Sequence, residues 1–164
     1  MSNTKRKNLL GDRSSLFYEF LRILNEAKPK YFILENVASM NDESKLSITK
    51  SIATGLTPSS NEWQDWLLTK NQLTLFEEDL EGKVNDNQFI FINRNTKEVR
   101  KFKPVIINSS LLTAQNRKRI YWVGKLDVDG RYKSVDIKKP KNKKIILKDI
   151  IQHDLDDKEL KRHV

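Results

Sequence analysis

The stretch "RSSLFYEFLRILNEAKPKYFILENV", residues 13 to 37, decides the fold class of this chain. Its first half carries apolar side chains at helical spacing, which predicts an amphipathic helix over about residues 13 to 27 with Asp12 as its N-cap. Pro29 cannot continue that helix. The continuous apolar run over residues 31 to 37 predicts a strand buried on both faces of a parallel sheet. A helix followed by such a strand indicates the α/β class.

The rest of the chain gives weaker signals, apart from one strand. "NEWQDWLL", from residue 61, places Trp63, Trp66 and Leu67 on one helical face. "QFIFINRNTKEVRKFKPVIIN", from residue 88, predicts two strands around a polar turn at residues 93 to 96. "RIYWVGKL", from residue 119, is rich in β-branched and aromatic residues and predicts a second central strand. Residues 138 to 144 read as a basic linker before the short apolar stretch "IILKDIIQ".

Composition narrows the class of function. The chain has 164 residues, enough for one domain, and 31 Lys plus Arg against 22 Asp plus Glu give a net charge of +9. This balance favours a polyanionic partner such as nucleic acid. The chain contains no cysteine, which excludes disulfides, thiolate metal sites and a cysteine nucleophile within it. Because the chain has two histidines, we expect no metal site. Because it has neither an apolar membrane span nor a secretory signal, we expect a cytoplasmic protein with no membrane partner.

Glu35 and Asn36 stand at the carboxyl end of the predicted first strand. Ligands of open α/β sheets bind beyond such strand ends. A glutamate there could donate a proton if partial burial raised its pKa. The alternative is that Glu35 caps the following helix or pairs with a lysine. The tripeptide of residues 35 to 37 by itself favours that alternative.

Gln115, Arg117 and Arg119 alternate along "LLTAQNRKRIYWVG", which begins at residue 111. In an extended segment they would point to one side, with Asn116 and Lys118 on the other. The planar fork of arginine suits phosphates and base edges. A solvated basic turn is the alternative, but the alternation runs directly into the predicted strand, which would hold the guanidinium groups on a rigid scaffold.

Together these segments resemble the DNA cytosine-5 methyltransferase family. Residues 12 to 40 resemble its stretch up to the Glu-Asn-Val signature, and residues 104 to 126 resemble the region of its Gln-x-Arg-x-Arg signature. The resemblance implies the C-terminal half of a partial Rossmann-like, S-adenosylmethionine-dependent methyltransferase sheet with helices on its faces. It also implies the activity: the family flips a cytosine out of double-stranded DNA, adds a cysteine thiolate to ring carbon 6 and transfers a methyl group from S-adenosylmethionine to carbon 5.

Residue roles follow from the same resemblance. Glu35 matches the glutamate that holds ring nitrogen 3 and the exocyclic amine, and Arg119 matches the arginine that contacts the base carbonyl oxygen. Arg117 would support the loop and the phosphates, and Gln115 would order the turn. Leu16 matches a position lining the cofactor pocket. Two further DNA-contacting candidates are Asn116 and Lys118.

The chain also departs from the family. It has neither the Pro-Cys loop nor the glycine-rich cofactor motif, and extra sequence lies between the signatures, at about residues 66 to 103. We therefore expect residues 1 to 150 to form a partial catalytic domain, and residues 151 to 164 to begin a missing target-recognition region or tail. A sheet lacking its first strands would expose apolar surface, so a complementary methyltransferase subunit or self-association is expected.

Three functions remain open from the sequence. The chain could be a piece of a methyltransferase, inactive by itself, from a split enzyme or a restriction-modification locus. It could be a catalytically inactive DNA-binding or regulatory module of the same origin. It could also be a generic basic α/β domain. RNA in place of DNA is a further possibility for the substrate.

Overall fold

The computed structural model describes residues 15–69 and 88–150. Within these ranges the chain forms two α-helices and seven β-strands. The helices are α1 (Ser15–Ala27) and α2 (Asp42–Thr54). The strands are β1 (Tyr31–Val37), β2 (Trp66–Leu68), β3 (Phe89–Asn93), β4 (Val99–Phe102), β5 (Val105–Asn108), β6 (Lys118–Leu126) and β7 (Tyr132–Ser134). The α/β class is confirmed, and β1 has the predicted bounds, whereas the predicted N-cap Asp12 lies outside the described ranges.

The main sheet is built around β6, which confirms the prediction of a second central strand. β1 and β5 flank β6, and both are antiparallel to it. β7 also pairs with β6, at residues 124–126, after the part of β6 that pairs with β5. The prediction that β1 is buried on both faces of a parallel sheet is wrong, because its neighbour is antiparallel and Ile33 is 69% exposed. A continuous apolar run does not reveal how many faces of its sheet are covered.

A second, antiparallel sheet has the strand order β2-β3-β4. β3 and β4 form the predicted hairpin, whose turn is held by the Asn93 side chain accepting from the backbone N–H groups of Asn95 and Thr96. The predicted helical face of Trp63, Trp66 and Leu67 is wrong. Residues Asn61–Asp65 form a short 3-10 helix, and the chain then becomes extended, with Trp66 buried and Leu67 half exposed.

The core lies between one face of the main sheet, the two helices and the second sheet. The Phe32 ring on β1 lies 5.7 Å from that of Phe20 on α1 and 6.2 Å from that of Phe102 on β4. Trp122 on β6 is fully buried, and its indole N–H donates to the hydroxyl of Thr49 on α2 at 2.8 Å. Each of these large side chains contributes about 1.5–3 kcal/mol by leaving water.

The register between β1 and β6 is set by a glycine. Phe32 faces Gly124 across the two strands, and a Cβ on Gly124 would lie 2.1 Å from the Phe32 ring. Only glycine leaves room for the ring there. This contact fixes which residues of β6 stand opposite the end of β1.

The remaining sequence predictions concern the ends of the chain and the extra segment. The extra segment at about residues 66 to 103 contains the second sheet, but residues 70–87 lie outside the described ranges. Residues 138–144 have no regular secondary structure, and the apolar stretch after them forms the 3-10 turn Leu147–Asp149. Residues 151–164 are outside the described ranges. Neither described helix has the length and apolar character needed to cross a membrane.

Candidate nucleic-acid interface

Glu35 and Arg119 lie side by side at the end of the main sheet. Glu35 faces Tyr121 in the β1–β6 register, and Arg119 faces Val37, so the two charged residues are diagonal neighbours on the same face. The Arg119 Nε lies 2.6 Å from the Glu35 Oε1. The Glu35 side chain is 47% exposed and that of Arg119 is 21% exposed. Glu35 therefore pairs with a cation, as the alternative interpretation expected, but with the arginine of the later signature.

This ion pair is accessible from solvent, since the Glu35 side chain is 47% exposed. Partly exposed ion pairs contribute about 0–1 kcal/mol, so exchanging the contact for a base edge costs little. A carboxylate accepts hydrogen bonds from a ring N–H and an exocyclic amine, and a guanidinium donates to a carbonyl oxygen. The pair thus presents a hydrogen-bond acceptor and a donor next to each other.

An open cleft of about 550 Å³ lies next to Arg119. Four of the residues that line it are cationic: Lys45, Arg117, Lys118 and Arg119. Lys45 comes from α2 and also contacts Asp42 at 2.9 Å. The other lining residues are Ala38, Ser39, Ile106 and Asn116. The cleft has the charge and the small polar groups that bind phosphate.

The basic turn before β6 is held by Asn108 at the end of β5. The Asn108 Oδ1 accepts from the backbone N–H of Arg117 at 3.0 Å and from that of Ser110 at 3.1 Å. Its Nδ2 donates to the Asn116 Oδ1 at 2.9 Å. The role of Asn108 was missed in the sequence, where the only signal is an asparagine followed by two serines, typical of a turn.

The predicted alternation of the later signature is wrong for residues 115 to 117. β6 begins at Lys118, so only Lys118 and Arg119 alternate across the sheet. Asn116 and Arg117 lie in the turn before β6, where the Asn108 side chain holds them, and they line the cleft together with Lys118 and Arg119. The Gln115 side chain is not part of the cleft lining, but its backbone carbonyl accepts from the Ser109 hydroxyl at 2.6 Å.

Leu16, the predicted cofactor residue, is 75% exposed on α1. It lines neither the cationic cleft nor the second cleft, of about 260 Å³, between β5 and residues 135–139. The two described clefts therefore do not include Leu16, whose role as a cofactor residue stays a prediction. We assign no chemical step to the cofactor on these residues.

Residues 2–58 match the family model of the C-5 cytosine-specific DNA methylases. Over this segment the chain is similar to the C-5 cytosine-specific DNA methylases. It contains α1, β1 and Glu35, so the predicted resemblance is confirmed there, and the α/β architecture is consistent with a methyltransferase fold. The later signature at residues 115 to 119 lies beyond the match. The search of curated proteins returned no match to the chain.

Proposed function

We propose that this chain contributes the base-contacting and phosphate-contacting groups of a DNA cytosine-5 methyltransferase. The proposal depends on one observation: the Glu35 carboxylate and the Arg119 guanidinium are in contact at 2.6 Å, beside a cleft lined by cations. Double-stranded DNA is the proposed partner, because the chain carries a net charge of +9 and the cleft suits phosphate.

Each group has a role in that reaction. Glu35 accepts from the exocyclic amine of an extruded cytosine, and it accepts from ring nitrogen 3 once that nitrogen becomes protonated as a nucleophile adds to the ring. Arg119 leaves Glu35 and donates to the base carbonyl oxygen. Arg117 and Lys118 neutralise the flanking phosphates. These contacts offset the few kcal/mol that extrusion of a paired base costs.

In this proposal the thiolate that adds to ring carbon 6 comes from a partner segment outside residues 1 to 164, because this sequence contains no cysteine. The same partner would hold S-adenosylmethionine, which supplies the methyl group. In this proposal the chain positions the base and the backbone, and its partner carries out the covalent step.

The DNA-binding part is tested by a salt titration. We expect the affinity of the purified chain for a cytosine-containing duplex to fall linearly in log K against log salt concentration. Arg117→Ala removes one phosphate contact and should lower the slope by about 1. Lys101→Ala, an exposed cation on β4, is the matched control and should leave the slope unchanged. A flat salt response, or equal effects of both variants, contradicts phosphate binding in the cleft.

The catalytic part is tested by labelled methyl transfer. The purified chain should transfer no methyl group to DNA, because it lacks the thiol. Together with a polypeptide that carries a Pro-Cys loop and a glycine-rich cofactor motif, transfer should appear. In that mixture Glu35→Gln should lower the rate at least about 100-fold with DNA affinity unchanged. The control Glu62→Gln should lower neither. Equal loss of rate and affinity in Glu35→Gln would show that its role is misassigned.

A catalytically inactive DNA-binding module is the second candidate, and the absence of cysteine favours it. It predicts the same salt dependence but no methyl transfer with any complementing polypeptide. The two candidates therefore separate in the second experiment while sharing the outcome of the first.

A further inference from the structure

The main sheet has one face that the described residues leave uncovered. We define this uncovered face by Tyr31, Ile33 and Val37 on β1 with Tyr121 and Val123 on β6. The register places Ile33 opposite Val123 and Val37 opposite Arg119, so all these side chains point to the same side. Tyr31 is 55% exposed, Ile33 is 69% exposed and Val37 is 41% exposed.

The opposite face of the same strands is covered. There Phe32 contacts rings from α1 and β4, and Trp122 contacts Thr49 on α2. Both helices and the second sheet thus pack on a single side. An α/β sheet with β-branched and aromatic side chains on both faces is normally covered on both. The contiguous apolar surface on the other side is typical of an interaction site.

The margin of the uncovered face is positively charged. Lys125 stands opposite Tyr31 in the register, and Lys133 stands opposite Lys125 on β7. The Lys30 Nζ lies 5.8 Å from the centre of the Tyr31 ring. At the other end of this face, Glu35 forms an ion pair with Arg119. Near Lys125, the described ion pair is that of Lys133 with Asp127. Of the charged residues named here, four are cations and two are carboxylates.

This charge decides between two kinds of occupant. A second copy would bring another chain of net charge +9 and would set the lysine margins against like charges. A partner with carboxylates along the edges of its apolar surface would gain attraction at the same positions. The shape favours a helix, because helices are the elements that pack on the faces of such sheets.

We propose that the uncovered face docks an amphipathic helix of another polypeptide, with an apolar stripe bordered by Asp and Glu. This inference names the surface for the second polypeptide of the proposed function. Docking itself needs no DNA and does not use the cationic cleft; the ion pair of Glu35 with Arg119 lies on the same face, at the end opposite Lys125. Failure of the docking and failure of DNA binding are therefore separate results.

The probe is a synthetic helical peptide with a leucine stripe bordered by glutamates, compared with the same peptide bordered by lysines. By isothermal titration calorimetry, the glutamate peptide should bind the chain at least about tenfold more tightly. Ile33→Asn should weaken that binding at least about tenfold, because it places an amide in the apolar contact. Val99→Asn changes an exposed valine on β4 and should not affect it. DNA affinity should be unchanged in both variants.

A charge reversal tests whether the helix that docks has acidic residues along its apolar stripe. Lys125→Glu should weaken binding of the glutamate peptide and strengthen binding of the lysine peptide. Equal binding of both peptides to the original chain, or no effect of Ile33→Asn, would overturn the proposal. Sedimentation gives the remaining outcome: a dimer of the chain that Ile33→Asn dissociates would make a second copy the occupant and overturn the acidic partner.

Discussion

Replacing Thr49 by valine isolates one buried polar contact of the core. The Thr49 hydroxyl accepts from the Trp122 indole N–H at 2.8 Å and donates to the Lys45 carbonyl oxygen at 2.7 Å. Both Thr49 and Trp122 are fully buried. Valine has nearly the same shape as threonine but cannot accept a hydrogen bond. The variant therefore leaves a buried indole N–H without a partner, which costs about 1–3 kcal/mol of unfolding free energy.

Urea unfolding followed by circular dichroism measures this cost. With a slope of about 2 kcal/mol per molar urea, the midpoint should fall by roughly 0.5–1.5 M. Thr54→Val is the control, because its hydroxyl also donates to a carbonyl within α2, but the group from which it accepts, at 3.3 Å, is the part-buried backbone N–H of Leu56 and not a buried indole. It should cost less than about 1 kcal/mol. A midpoint for Thr49→Val equal to that of Thr54→Val would refute the reasoning.

A double-mutant cycle tests the assignment further. In a Trp122→Phe background no indole N–H remains, so Thr49→Val should cost less than about 0.5 kcal/mol. If Thr49→Val still costs about 1–3 kcal/mol of unfolding free energy in the Trp122→Phe background, the loss arises within α2 and not from the contact with β6.

Three further predictions concern register, titration and the basic turn. Gly124→Ala should lower the free energy of unfolding by about 1–3 kcal/mol, measured in urea, because the new Cβ would lie 2.1 Å from the tightly packed Phe32 ring. Burial lowers the pKa of Lys50 to about 8, so the unfolded chain binds more protons above that pH. Unfolding free energy should thus rise from pH 8 toward pH 10, and Lys50→Met should flatten this rise in parallel melts. Asn108→Ala should weaken duplex DNA binding at least about fivefold, while Arg117 remains present, because the turn loses its anchor.

The elements predicted well from the sequence are those with strong local signals. α1 and β1 follow directly from periodicity and from the proline between them, and the structure gives β1 as Tyr31–Val37. The β3–β4 hairpin follows from two β-branched or aromatic runs around a polar turn. In each case the decisive information lies within a few residues of the element.

The errors concern properties set by distant parts of the chain. Whether β1 is covered on one face or two depends on where α1, α2 and the second sheet pack. Trp66 becomes part of a strand because β3 pairs with it, facing Asn93. Local spacing cannot report either fact. Asn108 was missed for the same reason, since its partners become visible only when β5 and β6 lie next to each other.

The candidate site depends on a register that the core sets. Glu35 lies within the segment that matches the methylase family, but Arg119 lies beyond it, and only the pairing of β1 with β6 brings them together. A slip of one residue would turn Arg119 to the other face of the sheet, away from Glu35. The packing of Phe32 against Gly124 opposes such a slip, because any other residue of β6 would place a Cβ against the ring. The close packing on the covered face therefore determines the charged pair on the uncovered face.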